Sequence, residues 1–420
     1  MEKLTICGKK RLNGTLSVQG SKNSTLPIIA AAVLCEGEIV LHNCPHLTDV
    51  GAAVNILSHL GCKIRREGDT LIIDSTNIET SEISEKLMHE MRSSIVFLGA
   101  LLARTGKAVL STPGGCEIGL RPIDLHLRAM RELGTVISEE GGKLICTAPE
   151  GIRGREITLA FPSVGATENV LLAASLGKGR TILNNAAREP EIKNLADFLT
   201  LCGAKIFFAG EGKIIIDGVK KLRGCEFRVI SDRIVAATYM AAAAVTGGEI
   251  DILNFPVADV TPVLPQFEAC GCKIVSDENR MHIKAPSRLK SMGTVRTMPY
   301  PGFPTDFQAP AMTMATVADG TAIFIETIFE SRYKHVSELK KMGANITTQG
   351  TVAVVQGVKR LTGANVYAED LRGGAALVLA GLAAEGKTEV YNLKHIDRGY
   401  EKIEEKLLSL GAEIEREVYF

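Results

Sequence analysis

Apolar residues in this chain fall into two kinds of segment that alternate along its 420 positions. One kind is rich in Ala and Leu and shows no polar face: IIAAAVL at 28–34, LGALLA at 98–103, LAASL at 172–176, MAAAAV at 240–245, MTMATVA at 312–318 and LVLAGLAA at 377–384. A helix apolar all round is a buried helix. The other kind places apolar residues at helical spacing and leaves one polar face, as in EIKNLADFLTL at 191–201 and EKIEEKLLSL at 401–410. These predict amphipathic helices. Short runs such as EIVLHN, TILNN and TAIFIET follow the first kind and read as strands.

The alternation is a repeat. A helical ending, a glycine and a small residue recur as LGCKI at 60, LGTVI at 133, CGAKI at 202, CGCKI at 270, MGANI at 342 and LGAEI at 410. The glycines, Gly61, Gly134, Gly203, Gly271, Gly343 and Gly411, are 73, 69, 68, 72 and 68 residues apart. A second set, Gly37, Gly106, Gly179, Gly248, Gly320 and Gly386, precedes them by 23 to 28 residues and follows the buried helices. Glycine takes the left-handed conformation at little cost, so this second set is expected at the helix C-caps. Each repeat then reads as strand, loop, buried helix, Gly, strand, loop, amphipathic helix, Gly and a strand hairpin. Six units of this size suggest two groups of three, each around its own core.

Composition narrows the function. Formal net charge is zero and 45% of residues are hydrophobic. Bulk binding to nucleic acid or a membrane surface needs accumulated basic charge, so neither is expected. The N-terminal MEKLTICGKKRL has no apolar core of a leader, and the apolar run Tyr239–Val245 stops at Gly247 and Gly248. No spanning helix is expected, and the chain reads as cytoplasmic. The ten cysteines form no CxxC pair or zinc-ribbon spacing, and no metal site is expected. Most read as buried, reduced thiols. Cys116, on a glycine-rich loop, is the exception.

Chemistry-bearing residues stand at matching places. Just before each buried helix come GSKNS with Lys22 and Asn23, MRSS with Arg92, PSVGAT with Ser163 and Gly165, SDR with Asp232 and Arg233, PTDF with Asp306, and DLRGG with Arg372. Helix N-termini attract phosphates and carboxylates. Ser, Thr and Asp in such loops also serve as plain caps. The second loop of a repeat carries Arg121, Arg188, Arg332 or Arg398, in PGGCEIGLRPIDLH, NNAAREPEI, ETIFESRYKH and NLKHIDRGYE. Four arginines in equivalent loops fit a cleft for a polyanion.

Through GSKNSTLPI, MRSSI, PGGCEIGLRPIDLH, PSVGATEN, NAAREPEI, PYPGFPTDFQA and HIDRGYEKIE the chain resembles the enolpyruvyl transferases, over nearly its whole length. The cysteine loop followed by RPIDLH favours the members that act on a UDP-amino sugar over those that act on shikimate 3-phosphate. The resemblance implies a two-domain inside-out α/β barrel built from six repeats, with helices inside and sheets outside. One domain would span 22–230, and the other 1–21 with 231–420. Crossings are expected near Gly20–Lys22 and Val229–Asp232, with the site in the cleft and the cysteine loop as a lid.

It further implies transfer of the enolpyruvyl group of phosphoenolpyruvate to the 3-hydroxyl of UDP-N-acetylglucosamine, with release of phosphate. The chemistry requires no metal or organic cofactor, and no obligate protein partner is evident. By resemblance Cys116 delivers the proton to the enol carbon, or attacks phosphoenolpyruvate as a thiolate, and is the thiol alkylated by fosfomycin. Asp306 is the expected general base. Lys22, Arg121 and Arg398 would hold the anion, with Arg92, Arg332 and Arg372 nearby. Nucleotide contacts map onto Arg121, Pro122, Ile123, Asp124, Leu125, Ser163, Val164 and Gly165, and Asn23 and Ile328 would touch the sugar. The chain departs from the family pattern at Val235, Ser331, Gly373 and Phe161. A transferase for another acceptor, such as shikimate 3-phosphate, and a weakly active sugar-nucleotide-binding paralogue are the alternative readings.

Overall fold

The computed structural model describes residues 2–91, 93–111 and 123–418. It is a mixed α/β structure of two compact units. The described residues up to Gln19 and from Ser231 onward form one, and the described residues between Gly20 and Ile230 form the other. Each has its own hydrophobic core.

One sheet topology recurs six times among the described residues, three times in each unit. Its clearest copy uses residues 156–217. Glu156–Thr158 lies parallel to Arg180–Asn184, and the two are joined through helix Val164–Ser175. Parallel neighbours need such a crossover. Helix Pro190–Leu201 follows, and then the hairpin of Lys205–Phe208 with Ile214–Asp217, whose second strand lies antiparallel beside Arg180–Asn184. The strand Ile214–Asp217 buries alternate residues, Ile214 and Ile216, so one face of the sheet packs on the core. Every sheet is open.

Each unit borrows strands from its far end. Glu226–Arg228 completes the sheet of Glu38–His42, residues 20–230 thereby closing on themselves. In the other unit Glu2–Cys7 pairs with Lys387–Tyr391 and Glu413–Val418, and Asn13–Ser17 with Glu249–Leu253.

The Ala- and Leu-rich segments form the buried helices. Every residue of Arg233–Thr246 up to Ala244 is buried, as is all of Gln308–Thr316 and all but the first residue of Leu371–Ala383. The glycine expectations divide. Gly61, Gly134, Gly203, Gly271, Gly343 and Gly411 all have positive φ and follow the last helical turn. The amide two residues beyond each C-cap residue then reaches back, as Cys62 N–H does to Leu57 O at 3.0 Å. The other set does not cap helices as expected. Of its six, only Gly106 is a C-cap, at φ 74°, and in the fourth copy Gly247 takes that place rather than Gly248. Elsewhere the cap residue is Val33, Leu176, Val317 or Ala384, and the glycine falls beyond it. The helix there ends in a tight right-handed or extended turn, so no left-handed residue is needed at the cap.

Candidate active site

In the unit of residues 20–230 the most informative group is Lys22. It opens helix Lys22–Ala32, behind Ser21, whose hydroxyl accepts from Ser24 N–H. A cation at a helix N-terminus is opposed by the helix dipole. Here Asp49 compensates: its carboxylate meets Lys22 Nζ at 2.7 Å, with the two side chains 12% and 2% exposed. Asp49 sits in the first turn of helix Thr48–His59, where a carboxylate is favoured. Sequence reading named Lys22 and missed Asp49, whose signal was an acidic residue opening a helix. Asn23 is the next residue of the Lys22 helix.

Ser163 caps helix Val164–Ser175, accepting from Ala166 N–H at 3.3 Å. Val164 and Gly165 are its first residues. A Cβ on Gly165 would stand 2.8 Å from His126 Cε1, so a glycine lets the two helices meet. His126 follows Ile123, Asp124 and Leu125 at the start of helix Asp124–Glu132. Asn169 ties this corner together: its Nδ2 lies 2.9 Å from His126 Nδ1 and donates to Ile95 O, and its Oδ1 accepts from Gly99 N–H at 2.6 Å. Arg188, from the equivalent loop, is paired with Glu211 at 3.1 Å. Burial pushes the Glu168 carboxyl well above its usual range, and Glu191 and Glu189 add to the effect.

In the other unit three of the expected residues converge. Asp306 Oδ1 accepts from Arg332 at 3.0 Å and Oδ2 from Arg372 at 2.9 Å. The arginine side chains are each 3% exposed, and Asp306 is 28% exposed. Asp306 lies inside the short 3-10 turn Thr305–Phe307 and caps no helix by its side chain. Plain capping does occur at Asp232 and Asp370, each accepting two amide N–H bonds.

The surrounding groups fix the arginines. Arg332 also donates to Thr305 O at 2.9 Å. Arg372 donates to Tyr400 OH at 3.2 Å and lies over that ring, and Tyr400 OH is 3.0 Å from Thr238 Oγ1. Asp306 and Tyr400 outweigh the burial of Arg372 and push its guanidinium further up. Glu326, 1% exposed, accepts through Oε1 from Thr297, Ile328 N–H and Phe329 N–H, and through Oε2 from Thr305. It thereby joins the Ile328 turn to the residue before Asp306. Arg398 is half-buried in the loop before Tyr400, where Gln19 accepts from Glu401 N–H and donates to Gly399 O. Sequence reading missed Tyr400, Gln19 and Glu326: the partners of the first two, and the Thr297 and Thr305 partners of Glu326, lie 21 or more positions away.

Two of the departures have a visible setting. A Cβ on Gly373 would lie 2.7 Å from Asp370 Oδ2 and 3.1 Å from His335 Cβ, so this packing favours glycine there. Val235 is fully buried and donates its N–H to the Asp232 cap. Nothing in the structure explains Ser331 or Phe161, both exposed. Arg92, Cys116, Arg121 and Pro122 lie outside the described residues.

Two outcomes follow locally. Tyr400→Phe leaves one Arg372 N–H buried without its acceptor and is expected to cost about 1–3 kcal/mol in chemical denaturation. An unchanged midpoint would show that the hydroxyl is dispensable. His335 is fully buried, and neither ring nitrogen has a hydrogen-bond partner among the described residues. Burial lowers its pKa to about 4; Asp370 opposes this and Arg332 adds to it. The unfolded chain then binds the extra proton between about pH 4 and 6.5, so stability rises with pH across that window and is flat above it. Melting curves should show this slope, and His335→Phe should lose it.

Among the described residues no group of His, Cys, Asp and Glu could hold a metal ion, and no helix is long and apolar enough to cross a membrane. The family model for EPSP synthase (3-phosphoshikimate 1-carboxyvinyltransferase) matches residues 6–407. A UDP-N-acetylglucosamine 1-carboxyvinyltransferase 2 of Caldanaerobacter subterraneus subsp. tengcongensis is 49% identical over 99% of this chain and 100% of its own. A UDP-N-acetylglucosamine 1-carboxyvinyltransferase 1 of Symbiobacterium thermophilum is 48% identical over 99% and 95%. Among solved structures, the enolpyruvyl transferase NikO of Streptomyces tendae superposes with a TM-score of 0.90 at 24% identity, covering 100% of this chain and 99% of its own. EPSP synthase of Acinetobacter baumannii gives 0.76 at 19%, covering 100% of both chains. At those identities the structures speak for the fold alone. With the family model spanning nearly the whole chain and full-length relatives near half identity, the chain belongs to the enolpyruvyl transferase family, alongside the proteins called UDP-N-acetylglucosamine 1-carboxyvinyltransferase.

Proposed function

We propose that this protein transfers the enolpyruvyl group of phosphoenolpyruvate to the 3-hydroxyl of UDP-N-acetylglucosamine and releases phosphate. In this reading it works in the cytoplasm, at the first committed step of peptidoglycan synthesis. Its two domains, 22–230 and 1–21 with 231–420, form the six-repeat inside-out barrel, with helices inside and sheets outside.

The observation that carries the reading is a carboxylate held from both sides. One Asp306 oxygen accepts from the Arg332 guanidinium and the other from the Arg372 guanidinium, which holds the carboxylate in the ionised form a general base needs. The carboxylate is partly exposed while its arginines are buried, so the base is fixed before substrate arrives. It takes the proton of the sugar hydroxyl as that oxygen attacks C2 of phosphoenolpyruvate. A proton from Cys116 reaches C3 and a tetrahedral phospho-ketal forms. Loss of phosphate and of a C3 proton regenerates the enol ether.

Lys22, Arg121 and Arg398 hold the anionic groups of phosphoenolpyruvate, supported by Arg92, Arg332 and Arg372. Asp49 keeps the Lys22 ammonium in place. The residues assigned to the sugar nucleotide are Asn23, Pro122, Ile123, Asp124, Leu125, Ser163, Val164, Gly165 and Ile328. This chemistry asks for no cofactor.

The test offers phosphoenolpyruvate with either UDP-N-acetylglucosamine or shikimate 3-phosphate and weighs the products. Only the sugar nucleotide should gain an enolpyruvyl group. A gain on shikimate 3-phosphate alone would move the protein to the other branch, and sugar-nucleotide binding without product would make it a binding protein. Cys116→Ser is expected to lose most turnover and to resist alkylation by fosfomycin. Unchanged alkylation would place the reactive thiol elsewhere.

A further inference from the structure

The family reaction makes no use of a second group of thiols, in the unit of residues 20–230. Cys202 ends helix Pro190–Leu201 and is 1% exposed. Cys225 is half-buried, and its Sγ lies 3.4 Å from Cys202 Sγ. The backbone that carries both residues is fixed by hydrogen bonds. Arg223 N–H donates to Cys202 O at 3.0 Å, Gly224 N–H to Glu36 O at 2.9 Å, and Val40 N–H to Cys225 O at 2.9 Å. A Cβ on Gly224 would stand 1.9 Å from Glu38 O, so the segment carrying Cys225 packs backbone to backbone. Phe198, one turn before Cys202, meets Phe227 edge-on at 5.5 Å and pins the other side. The third thiol, Cys35, is buried on the strand that pairs with Leu222–Arg223.

We propose that Cys202 and Cys225 form a modification site, a pre-placed dithiol that a small-molecule disulfide converts into an internal disulfide. The half-buried Cys225 thiolate attacks one sulfur of the reagent, RSSR. An S–S bond forms between Cys225 and RS, and the other half leaves and takes up a proton as RSH. Cys202, after giving up its proton, attacks the Cys225 sulfur. The Cys202–Cys225 bond forms and the second RSH leaves. The protein loses two hydrogens and is oxidised, the reagent is reduced to two thiols, and excess thiol drives the reverse. The product staples the end of helix Pro190–Leu201 to the segment that leads to the unit boundary at Ile230.

Both thiols start protonated. Cys202 is lowered by Cys225, but Cys35 and burial together push it up; Cys225 is pushed up by Cys202 and by burial. The pair is therefore slow at neutral pH, and its rate should climb about tenfold per pH unit, with the thiolate fraction.

The experiment incubates the folded, full-length protein with oxidised glutathione, blocks the remaining thiols and maps the peptides by mass. The unaltered chain should yield a Cys202–Cys225 cross-link, two hydrogens lighter and reversed by dithiothreitol, with little glutathione retained. In Cys202→Ala the glutathione should stay on Cys225. Glutathione persisting on Cys225 of the unaltered chain without a cross-link would overturn the proposal. So would a cross-link to Cys35 instead, a rate indifferent to pH, or labelling of the half-buried Cys7 while both thiols stay reduced. The unaltered chain alone decides, so a poorly folding variant does not rescue the idea.

Discussion

Replacing Asp306 by asparagine is expected to lower turnover about 100- to 10,000-fold, the usual contribution of a positioned general base, with little change in sugar-nucleotide affinity. The amide keeps the side-chain shape but cannot take the hydroxyl proton. Asp306→Ala should lose the same turnover and also stability. It strips the counter-charge from two guanidiniums whose side chains are each 3% exposed. Breaking a buried ion pair from one side costs about 3–5 kcal/mol, and the partial exposure of Asp306 places this case at the lower end. Kinetics and denaturation on both variants separate the two roles. Near-normal turnover in Asp306→Asn would remove Asp306 as the base.

The second large effect is expected at Asp49. Asp49→Ala removes the carboxylate that meets Lys22 Nζ at 2.7 Å, at a helix N-terminus where the dipole opposes a cation. With both partners largely buried, the loss should approach about 3–5 kcal/mol. If Lys22 holds phosphoenolpyruvate, its KM should rise in the same variant. Asp49→Asn keeps a hydrogen-bond acceptor and should fall between. Urea midpoints and KM measured together test this, and an Asp49→Ala chain that matches the unaltered one in both would refute it.

What the chain disclosed before folding follows from how local each signal is. The glycines of the LGCKI-type phrases were legible because a helix end followed by a left-handed residue is a three- or four-residue event that one residue type satisfies cheaply. The buried helices were legible because IIAAAVL or MAAAAV has no polar face to offer water. Loops such as GSKNS and PTDF stood out because cations and carboxylates recurred at one place in the repeat.

Partnerships were not legible. Lys22 with Asp49, Asp306 with Arg332 and Arg372, and Arg372 with Tyr400 join residues 26 to 66 positions apart. No local pattern names the partner. The strands Glu2–Cys7 and Asn13–Ser17 likewise carry no mark of the two sheets they join. The C-cap expectation at Gly37, Gly179, Gly320 and Gly386 misplaced the helix ends, because a glycine near a helix end also serves a following turn. All four do take positive φ, just beyond the helix.

The most direct measurement is phosphate release from phosphoenolpyruvate, with and without UDP-N-acetylglucosamine, in the unaltered chain and in Asp306→Asn. The account expects release only when the sugar nucleotide is present, and almost none in the variant although it still binds that nucleotide. Release that ignores the sugar nucleotide, or survives intact in Asp306→Asn, would contradict it.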